Sequence, residues 1–173
     1  MRKRAIEFYE VQRMRQWWIW LVMIAVNVIF IWGCIQQLLL QKPWGTNPMN
    51  NVELIIVTAS MILLNVMMFS TKLHTYINNE GVFVRFFPFH FRYKFFDWNN
   101  IETLQVKKYN SYRAGGWGLK VTLDGTRYYT VSGNMCLSLI LENGRKIIIS
   151  TKRPIEMEVV LRKLGKMEAI GNG

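Results

Sequence analysis

Twenty-four consecutive residues without a charge, Trp17–Leu40 (WWIWLVMIAVNVIFIWGCIQQLLL), constrain this chain more than any other feature. A helix crossing the hydrocarbon core of a bilayer needs about 20 apolar residues, and a longer run is accommodated by tilt. Thirteen of these residues are Leu, Ile, Val or Phe, each favouring insertion by roughly 0.3–0.6 kcal/mol near mid-span. Asn27, Gln36 and Gln37 reduce that sum without reversing it. A second run, Val52–Phe69, is charge-free from Leu54 onward and carries Thr58, Ser60 and Asn65. Left unpaired it would be exposed, so 17–40 and 52–69 read as a transmembrane hairpin within 17–70. Counted at about 1.5 Å per residue, Asn27 and Ser60 lie at similar depth and are expected to share an interhelical hydrogen bond.

Lys and Arg are retained on the cytoplasmic side of such helices. Arg2, Lys3, Arg4, Arg13 and Arg15 precede the first span, Lys42 alone lies between the spans, and Lys72, Arg85, Arg92 and Lys94 follow the second. Both termini are therefore expected in the cytoplasm, with 1–16 a basic juxtamembrane segment. Trp17, Trp18, Trp20 and Trp44 suit the aromatic belts at the interfaces. A cleaved signal fits less well, because its apolar core spans only roughly 7–15 residues and ends at small residues. Ile31-Trp32-Gly33-Cys34 is a loose match to a lipoprotein processing box, but Trp32 is bulky where such boxes take small residues.

From Thr71 onward the apolar pattern alternates, which marks half-buried strands. Leu73–Ile77 and Val82–Phe87 flank the turn Asn78-Asn79-Glu80-Gly81, and Pro88 stops the second arm. Tyr93–Trp98 and Ile101–Val106 flank Asn99-Asn100. Trp117–Leu123 and Thr126–Val131 flank Asp124-Gly125, and Met135–Leu141 and Arg145–Ser150 flank Asn143-Gly144, both dipeptides that favour hairpin turns. The expectation is seven to eight antiparallel strands in a sandwich or barrel, with 71–173 folding alone as a cytoplasmic domain. A C-terminal helix over 154–167 follows from Pro154 in its first turn and the stripe Met157, Val160, Leu161 and Leu164.

A β barrel closed by such a helix is the pleckstrin-homology (PH) layout. Gly115-Gly116-Trp117-Gly118, Ser132-Gly133 and Thr151-Lys152-Arg153-Pro154 resemble segments of an uncharacterised family of small bacterial membrane proteins with two helices and a PH-like domain. The resemblance covers the hairpin and most of 71–165. It implies an all-β PH-like barrel at the bacterial inner membrane, and it implies no activity, since fold alone does not deliver function.

The residues themselves argue against catalysis and against a cofactor or metal centre. His74 and His90 lack Cys, Asp or Glu at ligand spacing, and Cys34 and Cys136 are not placed to pair. Asp97 and Glu102 flank a turn and read as caps before they read as an acid–base pair. The glycines at 115–118 precede a strand, whereas phosphate-binding loops open a helix.

Binding remains. The net charge of +11 is concentrated after residue 70, where 16 basic residues face 8 acidic ones. Beside an anionic leaflet each juxtamembrane cation gains about 1 kcal/mol. Lys107, Lys108, Arg113, Lys120 and Arg127 are the candidate lipid contacts. Gly115, Gly116, Trp117 and Gly118, with Tyr112, are the candidate contact for a protein partner or a second copy. The run Phe86–Phe91, with Tyr93, Phe95 and Phe96, holds too many aromatics for alternation to bury all of them: most are expected in the core, and one or two against the bilayer or the hairpin. No nucleic-acid motif is visible. The expected function is a membrane-tethered interaction or scaffolding module, the alternative a module that binds lipid or an anionic membrane surface.

Overall fold

The computed structural model describes residues 6–14, 16–110 and 116–167. The chain forms two compact units: Arg15–Ser70, and a β unit that joins Met1–Met14 to Thr71–Gly173. In chain order the elements are β1 (Phe8–Arg13), α1 (Trp17–Cys34), α2 (Asn51–Ser70), β2 (Lys72–Ile77), β3 (Gly81–Phe87), β4 (Lys94–Asp97), β5 (Ile101–Lys108), β6 (Gly118–Val121), β7 (Arg127–Thr130), β8 (Met135–Leu141), β9 (Lys146–Thr151) and α3 (Pro154–Lys163).

The first correction to the sequence reading lies in β1. Residues 8–13 are not a free juxtamembrane segment; they pair antiparallel with β2, from Phe8↔Ile77 to Arg13↔Lys72. The helical hairpin is thus an insertion between two adjacent strands, and the β unit is not confined to 71–173. Phe8, Glu10 and Gln12 point inward and are buried, while Tyr9, Val11 and Arg13 are exposed.

The strands form no closed barrel. They make a four-stranded sheet, β1-β2-β3-β4, and a five-stranded sheet, β5-β8-β9-β7-β6. Pairing is not wholly antiparallel, because β7 runs parallel to β9. Nor are β4 and β5 a hairpin. A single 3-10 turn, Trp98–Asn100, sends the chain from one sheet to the other, and the Asp97 carboxylate caps it by accepting the Asn99 N–H at 2.8 Å.

One apolar core joins both sheets to α3. Phe8, Leu73, Val84 and Phe86 come from the first sheet, Leu137, Leu139, Ile147 and Ile149 from the second, and Met157, Val160 and Leu161 from α3. The apolar stripe of α3 is therefore the one that its spacing predicts. The helix ends at Lys163, short of residue 167, where Gly165 at φ +65° takes the left-handed conformation of a C-terminal cap.

In the helical unit, α1 continues into a π turn over Ile35–Leu39. Trp17–Leu39 and Asn51–Ser70 are each long and apolar enough to cross a membrane. The expected Asn27–Ser60 bond is not made. The Asn27 amide donates to the Met23 carbonyl and the Ser60 hydroxyl to the Ile56 carbonyl, each one turn back in its own helix. Polar contacts that do join the two helical arms are the Gln37 amide, which donates to Asn51 Oδ1 at 2.7 Å, and Cys34 Sγ to Thr58 Oγ1 at 3.2 Å. Because the Thr58 hydroxyl donates to the Leu54 carbonyl at 2.7 Å, the thiol supplies the proton in that contact. Rings close the two ends of the pair: Trp20 meets Phe69 edge-on, and Phe30 meets Trp44.

Candidate functional site

Of the proposed partner corner, Tyr112 and Gly115 lie outside the described residues, as does Arg113 of the basic set. The rest of the corner is tied to its own sheet. Gly116 and Gly118 have φ of +89° and +137°, which only glycine adopts without strain. The Gly118 N–H donates to Thr130 Oγ1, and the Thr130 hydroxyl donates back to the Gly118 carbonyl. The Trp117 indole N–H donates to the Gly133 carbonyl at 3.3 Å, and Lys120 Nζ donates to the Gly116 carbonyl at 2.5 Å. Trp117 stays partly exposed and is not among the core residues.

Register distributes the basic set over both faces of the five-stranded sheet. Opposed residues share a face. Lys107 pairs with Cys136, which pairs with Ser150; Lys120 pairs with Tyr128, which pairs with Ile148. Lys107 and Lys120 therefore share the outer face, but β5 and β6 are its two edges. Four strand spacings of about 4.8 Å put them roughly 19 Å apart. Arg127 and Lys108 have the opposite parity. Arg127 belongs with Tyr129, whose ring lies 5.9 Å from that of His90. No single headgroup could be held by all of these side chains.

Between Lys107 and Lys120 the outer face is closed. Cys136 is fully buried, and burial pushes its thiol up to about 11 although Lys107 and Lys146 pull the other way. Burial likewise pushes the Tyr109 phenol up to about 12. These are packing groups, and neither is poised to ionise near neutrality. Other ionisable groups are engaged in the frame. Glu10 binds the Thr151 hydroxyl and the Lys152 N–H, Glu7 meets Lys163 at 2.8 Å, and Asp124 is held well below the usual carboxylate range by Thr122 and Thr126.

The sequence marks the aromatic run but not the face it builds with Tyr9 and Tyr76, the outer face of the four-stranded sheet. Its aromatic residues fall into rows set by register. Tyr9↔Tyr76↔Phe83↔Phe95 crosses all four strands, with Tyr76 stacked on Phe83 at 4.2 Å and Phe83 on Phe95 at 4.4 Å between ring centroids. The next row is Val11↔His74↔Arg85, extended by Tyr93, whose ring carries the Arg85 guanidinium at 4.7 Å. The third, at the end where β1 and β2 run into the helices, is Arg13↔Lys72↔Phe87, with Phe91 edge-on to Phe87. Tyr9 is 47% exposed, Phe95 46% and Phe91 76%. Phe86 by contrast enters the core, and Phe96 packs against it, so the aromatic run divides between inside and outside.

Beyond Phe95 this face borders a cleft of about 370 Å³, lined by Phe95, Phe96, Asp97, Asn100, Leu141, Glu142 and Asn143. Its acids, Asp97 and Glu142, sit among backbone turns; Asp97 is already spent on its cap. Among the described residues no group of three or more His, Cys, Asp or Glu converges as metal ligands would.

Comparison with curated proteins and with solved structures finds no match. The profile of one family, described as a family of unknown function (DUF6141), matches residues 2–165. That stretch takes in β1, both long helices, both sheets and α3, and the chain belongs to this family.

Proposed function

We propose that the chain is a membrane-anchored binding module: a PH-like β unit held at the cytoplasmic face of a bacterial inner membrane by a two-helix anchor, working through its surface and without catalysis. One observation carries the reading, namely that the helices interrupt the β1–β2 pair at Arg13↔Lys72. Both ends of the anchor are thereby continuous with neighbouring strands of one sheet. The PH-like assignment is supported by the four-stranded antiparallel sheet, a second sheet, and a C-terminal helix whose apolar side joins the common core. The cytoplasmic assignment rests on the excess of Lys and Arg on either side of the helical segment.

The spread of the basic residues favours contact with a protein, or with a second copy, over a dedicated headgroup pocket on the five-stranded sheet. The exposed part of Trp117, fixed by Gly133, is the candidate centre of such a contact, as rigid aromatic anchors often are. Crosslinking and mass spectrometry on the intact protein in its membrane tests the partner. Thr46→Cys and Ile170→Cys variants test the anchor: an impermeant reagent added to intact cells should label position 46 and spare position 170. Labelling of position 170 would overturn the topology.

A further inference from the structure

We propose that the outer face of the four-stranded sheet docks on the anionic headgroup region of the bilayer, with its rings at the interface and Arg13, Lys72 and Arg85 beside the phosphates. The inference rests on the membrane-anchored reading and assigns a ligand to a face that reading leaves open. Chain connectivity supplies the first argument. Two residue steps hold Lys72 within about 7 Å of Ser70, and four hold Arg13 within about 14 Å of Trp17. The headgroup layer occupies several ångströms beyond each side of the hydrocarbon core. The row Arg13↔Lys72↔Phe87 is therefore confined to the neighbourhood of that layer wherever α1 and α2 enter it.

Charge supplies the second. The three rows that begin at Arg13, Val11 and Tyr9 hold three permanent cations and no carboxylate. The acids flanking the face, Glu7 and Asp97, lie past its far end, beyond Tyr9 and alongside Gly81. Positive charge thus increases toward the anchor. A second copy meeting this face symmetrically would set those cations against one another, and uncompensated like charges across an interface are costly. An anionic leaflet attracts them instead.

The third argument is the chemistry of the rings. Tyr and Trp collect at membrane–water interfaces because one side of the ring is apolar and the other carries a polar group. Tyr9, Tyr76 and Tyr93 have that character. Phe91, 76% exposed and edge-on to Phe87 of the helix-proximal row, supplies apolar area that water would otherwise cover. A sheet lying on this face would turn the five-stranded sheet, and with it Trp117, toward the cytoplasm.

Full-length protein in vesicles tests the proposal. Single Phe95→Cys, Lys152→Cys and Val28→Cys variants carry an environment-sensitive fluorophore, and the unsubstituted chain sets the labelling background. Vesicles contain phosphatidylcholine with or without phosphatidylglycerol, doped with lipids quenched at the headgroup or mid-chain. The label at 95 should be quenched by the headgroup probe in the anionic vesicles, less so with added salt, and the label at 152 should not. Arg85→Gln should lower the ratio of docked to undocked protein about fivefold, the factor equivalent to the roughly 1 kcal/mol gained per cation there. Equal quenching at 95 with and without the anionic lipid, or none, would overturn the proposal. So would quenching at 95 that appears only as protein density rises, since that reports a second copy. The label at 28 separates the two readings: without mid-chain quenching there the anchor itself is wrong, whereas quenching at 28 with none at 95 rejects docking alone.

Discussion

Glu10 and Thr151 meet across 141 residues of sequence: the Thr151 hydroxyl donates to the Glu10 carboxylate at 2.7 Å, and the other carboxylate oxygen accepts the Lys152 N–H at 2.9 Å. A strand that precedes both long helices thus satisfies the end of the last strand, where the chain turns into α3. Gln12 repeats the pattern one pleat on, its amide donating to the Ser150 carbonyl while the Ser150 hydroxyl returns a bond at 3.0 Å. Glu10 is only 5% exposed and Thr151 1%, so loss of the carboxylate leaves the Thr151 hydroxyl without an acceptor in a dry place and strips the part-buried Lys152 N–H of its own. Glu10→Ala should cost about 2–3 kcal/mol, since an unsatisfied buried donor costs roughly 1–3 kcal/mol. Glu10→Gln, which keeps one acceptor and the volume, should cost less. Thermal unfolding in detergent measures both, and equal losses for the two variants would contradict the hydrogen-bond account.

The same strand decides what can fold in isolation. Arg13 and Lys72 are opposed in register, so a two-residue Asn-Gly turn, which suits a tight hairpin, can replace residues 14–71. The shortened chain should be soluble and unfold cooperatively. Residues 71–173 alone should not, because Phe8, 1% exposed in the core, and the Glu10 carboxylate are both missing. Amide spectra and thermal melts distinguish the two. A cooperative melt of 71–173 at the midpoint of the joined form would show β1 to be dispensable.

What could be read from the sequence, and what could not, follows from the range of each interaction. The two long apolar helices and the α3 stripe depend on composition and on spacing within one element, and they are found where those signals put them. Asp124-Gly125 and Asn143-Gly144 are local turns, and each joins neighbouring strands in sequence. β1 defeats local reading twice over. Its binary pattern is inverted, with Glu10 and Gln12 inside and Tyr9 and Val11 outside, and its partner strand begins beyond the whole hairpin. The parallel β7–β9 pair has no local turn to announce it, and Asn99-Asn100 turns a corner between sheets where a hairpin was expected. Aromatic residues were visible in the run after Val82. That they form rows with Tyr9 and Tyr76 needs the register of four strands, which no single segment carries. The basic residues divide for the converse reason: closeness in sequence does not keep Lys107 and Lys108 on one face when strand parity alternates.

Gly33 gives a prediction for the helical unit. A Cβ at this position would lie 2.7 Å from atoms of the Trp44 ring, so the missing side chain is what lets the indole seat against α1 and meet Phe30. Gly33→Ala should displace the ring and cost about 1–3 kcal/mol, the usual range for overpacking. If the cause is the indole, Gly33→Ala should cost almost nothing in a Trp44→Ala background. A double-mutant cycle on thermal stability in detergent measures the coupling. Additive losses would place the effect elsewhere.

The two histidines should make stability depend on pH. His74 accepts or donates a hydrogen bond with the Tyr9 hydroxyl at 3.1 Å and lies in register with Arg85. Burial, and then the charges of Arg85 and Lys72, hold its pKa below the ordinary 6.5. Burial does the same for His90, helped by Lys94 and Arg127. A base whose pKa is depressed by folding binds fewer protons folded than unfolded, so stability falls as pH drops through the unfolded value. Between about pH 7.5 and pH 6.5 the effect is absent or slight. It should grow from roughly pH 6.5 downward until the folded-state values are passed, and then level off. Chemical denaturation of the joined β unit at several pH values should show this slope. His74→Gln and His90→Gln should each remove part of it while leaving stability near pH 7.5 less affected. A slope of opposite sign in the wild type, or one unchanged in the doubly substituted chain, would show that the imidazoles are not its source.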